Sequence, residues 1–211
     1  MDCTLRLALT LTCLLLVAAG CGSGGLVPSL EDIFVPSLTE AFPAPQRALE
    51  GSLSVNGAGP TALPLRVGDD ENDLSWRGFT SFQMTVPAGR TLKSAVLRLH
   101  LGVSTGDPFG TLGLLFLERI DMGPTLDVAD LHAAPIASEI GPSSAPMGLS
   151  DYDVSTLVQD ALDHGVTRVD IRLRFGVSVV TDDMASYLEF TSFDVDTDPV
   201  SLPPTLVLDW E

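Results

Sequence analysis

Three groups of residues in this chain are of the types that do chemistry. The first is acidic: Asp69, Asp70, Glu71 and Asp73, with Asn72 among them, crowd one turn-like stretch, and Asp194, Asp196 and Asp198 alternate, so an extended segment points all three to one side. Calcium takes six to eight oxygen ligands, which makes these seven residues the candidates for a calcium site; no other cofactor is expected. The EF-hand pattern fails, because Pro199 stands where its glycine belongs and Thr205 where its closing glutamate belongs. The competing reading is a pair of solvated acidic loops. The second group is aromatic and basic. Trp76 borders the first acidic run and could stack on a sugar ring or sit in the core, and Arg77 after it could be a site or a buried arginine tying strands through carbonyls; Arg98, Arg172 and Arg174 alternate with apolar residues and could form a basic patch or stand as ordinary solvent-facing charges. The third is the run 102–106, which reads G-x-S-x-G. A nucleophile elbow needs a helix directly after the serine, and Asp107-Pro108-Phe109-Gly110 reads as a turn, so no catalytic residue is expected.

Other chemistry finds little footing. His100, His132 and His164 share no ligand spacing and have no cysteine partners, and Lys93 is the only lysine, with no phosphate-binding loop before it. Paired carboxylates could in principle hydrolyse glycosides, but no pair is marked out by position. The 211 residues carry a net charge of -17, with 45% apolar and 18% charged residues, which describes a folded domain and disfavours nucleic acid as a partner.

The elements that must position these groups begin after a leader. Residues 7–19 are apolar but for Thr10 and Thr12, too short to span a bilayer comfortably and suited to a signal peptide. Val17-Ala18-Ala19-Gly20-Cys21 resembles the lipobox of bacterial lipoproteins, with Ala18 at a position where that family usually has Leu. The resemblance implies a signal peptide over 1–20, lipidation of Cys21, and a membrane partner through the lipid anchor. It places the protein, exported, at the outer membrane or cell surface. With Cys3 and Cys13 in the leader, no disulfide is expected in the mature chain. Residues 21–50, rich in Gly and Pro, read as a tether, with Val27-Pro28-Ser29-Leu30 echoed as Val35-Pro36-Ser37-Leu38.

From 51 to 211 the signal is period-two alternation. Ala95, Leu97, Leu99, Leu101 and Val103 form one stripe; Val169, Ile171, Leu173, Phe175 and Val177 form another; Phe82, Met84 and Val86 form a third. Leu53, Leu63, Tyr187 and Leu206 open further short runs, and 112–117, wholly apolar, reads as a strand covered on both faces. Val154, Leu157, Val158, Ala161 and Leu162 keep helical spacing, and a weaker helical stretch covers 126–134. The expected class is all-β: a sandwich of about eight antiparallel strands with one short helix over 153–164.

Several of these segments together resemble the DNRLRE-type domains of bacteria and archaea. They are Val67-Gly68; Arg77-Gly78-Phe79-Thr80-Ser81-Phe82; Val86-Pro87-Ala88-Gly89; Ser94-Ala95-Val96-Leu97-Arg98-Leu99; Asp153-Val154-Ser155-Thr156-Leu157-Val158-Gln159; and Pro204-Thr205-Leu206-Val207-Leu208. The resemblance implies a jelly-roll β-sandwich without catalysis of its own. Some such domains, grouped as carbohydrate-binding module family 96, bind acidic polysaccharides, a poor match to a charge of -17. Residues 121–147 also lack the tryptophans of that family's middle segment. The expected function is a non-enzymatic, membrane-tethered binding module for a glycan, a polysaccharide or another envelope component. The alternative is a structural lipoprotein packed against an envelope protein.

Overall fold

The computed structural model describes residues 46–54, 64–177, 183–191 and 202–211. Ten strands follow in order: β1 (Gln46–Ser54), β2 (Leu65–Asp69), β3 (Ser75–Gln83), β4 (Leu92–Thr105), β5 (Leu115–Ile120), β6 (Ala137–Ile140), β7 (Gly148–Asp153), β8 (Arg168–Phe175), β9 (Ser186–Phe190) and β10 (Thr205–Trp210). Three short helices interrupt them: α1 (Pro108–Thr111), α2 (Val128–His132) and α3 (Ser155–Asp163). The all-β sandwich-like class holds; the described residues carry ten strands where about eight are expected, α3 and α2 fall in the stronger and weaker helical stretches read from the sequence, and α1 is unexpected. β1 begins inside the stretch read as tether, and the strand read over 112–117 starts later, after α1, and runs to Ile120.

Among the described residues every pairing is antiparallel, and two long strands, β4 and β3, each take two successive partners along one edge. β4 pairs β7 along one edge; its other edge takes β10 over Leu92–Arg98 and then β9 over Leu101–Thr105. β3 likewise pairs β1 on one edge, and on the other takes β8 and then the end of β2. A strand with two successive partners on one edge must bend with the twist of each, which curls the sheet over itself. One layer holds β7, β4, β10, β9 and β2; the other holds β1, β3, β8, β5 and β6.

Between the layers lies the main core. Leu97, Leu99, Leu101, Leu188 and Phe190 from the first layer meet Phe82, Leu117, Val169, Ile171 and Leu173 from the second, all essentially without solvent contact. Each such side chain contributes about 1.5–3 kcal/mol by leaving water. Helix α3 closes one side by adding Leu157, Val158 and Ala161 to this core. Its first turn is satisfied by carboxylates: Asp153 accepts the Ser155 N–H at 2.9 Å and Glu139 of β6 accepts the Thr156 N–H at 2.9 Å. Gly165, at φ 69°, ends it.

A second, smaller core lies on the other face of the second layer. Leu53, Phe79, Ile120 and Met122 pack there against Leu131 of α2. The connection between β5 and β6 crosses this face, so β3, β5 and β8 are covered on both sides. That is why β8 is buried without a break from Val169 to Leu173, although its sequence alternates.

Candidate functional site

The acidic run beside Trp76 is a turn built around one carboxylate. Asp70 Oδ1 accepts the N–H groups of Asn72 at 2.9 Å and Leu74 at 3.1 Å, while Oδ2 accepts the Trp76 indole N–H at 2.8 Å. Asp73 takes a left-handed φ of 56°, Glu71 points into solvent, and Asp69 is buried at the end of β2. Among the described residues no three His, Cys, Asp or Glu side chains converge as metal ligands. Asp194, Asp196 and Asp198 lie outside the described residues, as does Cys21.

Trp76 is only 9% exposed, so of its two readings the structure favours the core residue over the open platform. Its ring lies 5.4 Å from the Arg66 guanidinium carbon, which also sits 4.5 Å from the Tyr187 ring. Arg66 in turn donates from Nε to Glu189 at 2.8 Å across the β2–β9 pair. Gly68, φ 132°, makes this stack possible: a Cβ there would meet Ser186 O at 2.3 Å and the Tyr187 backbone at 2.7 Å. Arg66, Tyr187 and Glu189 stay partly exposed around a buried indole.

Three of the arginines named as ligand candidates form a different cluster, around Glu118 of β5. Register brings Glu118 opposite Arg172 of β8, and Arg172 opposite Phe79 of β3. Glu118 accepts Arg172 Nε at 2.8 Å through one oxygen and Arg174 Nε at 2.8 Å through the other. The Arg172 and Glu118 side chains are 3% and 1% exposed, so Arg172 does not face solvent from a polar strand face. Its remaining nitrogen donates to the carbonyls of Asp130, Leu131 and Ala133, and Arg77 also donates to the Leu131 carbonyl. Guanidinium groups therefore meet the C-terminal end of α2, where the helix leaves partial negative charge. Burial pushes the Glu118 carboxyl up, but the hydrogen bonds from Arg174 and Arg172 outweigh it and hold the group below the usual glutamate range. Arg77 is lowered, by burial first and then by Arg172 and Arg174, with Glu118 offsetting only part.

Arg98 stands apart from this cluster. Its strand, β4, does not pair with β8, and its side chain, 46% exposed, makes a two-point pair with Asp151 of β7 at 2.7 and 2.8 Å. The arginines named from the sequence thus do not make one basic patch. Ser104 of the G-x-S-x-G run lies within β4 opposite Leu188, and Gly106 serves the turn after it, where a Cβ would meet Ala185 O at 2.3 Å. A groove of about 470 Å³ beside α3, lined by Lys93, Thr156, Gln159 and Asp163 among others, contains none of the candidate ligand-binding or calcium residues.

Sequence reasoning missed Arg66, Glu189 and Glu118. Arg66 and Glu189 alternate with buried apolar neighbours on their strands, which is a signal for facing outward, but only the β2–β9 register shows that they meet. No helix among the described residues is long and apolar enough to cross a membrane. No family model and no curated protein matches this chain.

Proposed function

We propose that the chain is a non-catalytic module, held at a bacterial envelope through Cys21 and the stretch before β1, that works by packing against an envelope protein. The observation that carries the choice of partner is the state of Trp76. An indole that binds sugar presents a ring face and its N–H to solvent, whereas this one lies beneath Arg66 and spends its N–H on Asp70. Arg172 is likewise spent on Glu118 and on α2 carbonyls. The open outer face of β10, β4 and β7 offers a flat surface, where Val207 and Leu149 are 41% and 55% exposed around the Arg98–Asp151 pair. Similar mixtures of exposed apolar and paired charged side chains line protein interfaces.

A second reading, a glycan-binding module, draws support from Arg66, Tyr187 and Glu189, a cation, an aromatic ring and a carboxylate held together at the surface. One experiment separates the two: the purified full chain on a broad glycan array, with calcium and with chelator. The protein-packing reading expects a blank array in both conditions and photo-crosslinks to protein from probes placed at Leu149 or Val207. A glycan hit lost in Tyr187→Ala would replace it by the second reading, and dependence of that hit on calcium would bring the acidic loops into the site.

A further inference from the structure

The connection from Asp121 to Ile136 lies across the second layer as a strap, and its fastening differs in kind from that of the strands. Among the described residues, no backbone–backbone hydrogen bond joins 123–135 to a strand; the first such bond is that of the Ile136 N–H to Arg119 O at 2.7 Å. The strap is instead held by side chains. Arg172 and Arg77 grip the carbonyls at the end of α2, Arg168 donates to Gly123 O at 3.0 Å, and Asp170 accepts the Met122 N–H at 3.1 Å. Within the strap, Asp127 and Asp130 form a reciprocal capping box, so α2 keeps its own internal order. Five residues of helix have little stability by themselves, and the apolar contacts of Leu131 go to the small core, whose members are separate from those of the main one.

From this we propose that the strap is a latch: it opens as a local unit while the two-layered sheet stays folded, uncovering Leu53, Phe79 and Ile120 beside Arg77 and Arg172. The ladder hydrogen bonds and the main core do not depend on its position, so opening forfeits only the small core and the side-chain fasteners. Local units of this kind open at lower free energy than the whole domain. The device is independent of the partner proposed above.

The test is thiol labelling in the full chain, with Leu131→Cys as the reporter and Ile171→Cys in the main core as the control, read by mass on the peptide that holds each position. The latch expects labelling at 131 at least about tenfold faster than at 171, with a shallow urea dependence at 131 and a steep one at 171. Adding Arg77→Gln, which removes one fastener, should accelerate labelling at 131 and keep it ahead of that at 171, with the urea slope at 131 still shallow. Equal rates with equal urea slopes at the two positions would overturn the proposal. Amide exchange of the unmodified chain guards against a misfolded reporter: the 126–133 amides must exchange ahead of those at 169–173, and joint exchange would overturn it as well.

Discussion

Arg98 and Arg172 occupy the same kind of sequence position, an arginine between apolar neighbours on an amphipathic-looking strand, and they end in opposite surroundings. Arg98 stays in water against Asp151 on an open sheet face. Arg172 lies under a strap, its nitrogens divided between Glu118 and the carbonyls of α2. Alternation shows which residues share a face; it does not say whether that face is later covered. The cover comes from a connection far along the chain, and with it the same side chain changes from a solvated charge to part of a buried network.

The largest expected effect breaks that network at its only carboxylate. Glu118→Ala leaves Arg172 and Arg174 without their counter-charge and should cost about 3–5 kcal/mol in urea unfolding. Next is Asp70→Ala, which strips the Trp76 N–H and two backbone N–H groups of their acceptor; a loss of about 1–3 kcal/mol is expected, with a blue-shifted or less ordered tryptophan signal. Arg66→Ala removes a half-exposed stack and ion pair and should cost less than about 1 kcal/mol.

Acid sharpens the comparison, because two buried carboxyls on the covered face respond with opposite sign. Glu118, lowered in the fold, contributes stability that is complete above the ordinary glutamate value and is lost as pH falls through its folded value. Asp170 is raised by burial, against the pull of the Met122 N–H and Arg168, so protonation favours the folded state and acidification first relieves its cost. The melting temperature measured from about pH 6 to pH 3 should therefore fall through Glu118, and Glu118→Gln should flatten that fall. On the open face, Arg98 lowers Asp151 by a hydrogen bond, yet both are solvated, and Asp151→Asn should leave the same profile in place.

Much of the fold was legible because long stripes in β3, β4 and β8 carry their period over many residues, and α3 keeps helical spacing between clear ends. β6 and β7 were not, since Ala137–Ile140 is short and Gly148–Asp153 is rich in Gly, Ser and Asp, residues that favour turns. α1 was masked by Asp107-Pro108, which reads as a turn but here supplies the N-cap and first residue of a helix. The site was less legible. Trp76 and Arg77 stood out by type, but their burial depends on the register of β2 with β9 and on the strap, and no local pattern in the sequence encodes either.

The central claim is that one sheet face is covered and its charges structural, while the other is open. It is tested most directly by urea unfolding of Arg172→Met and Arg98→Met beside the unaltered chain. The account predicts a large drop in the transition midpoint for Arg172→Met, with the slope unchanged, and no measurable shift for Arg98→Met. Equal shifts in the two variants would contradict it.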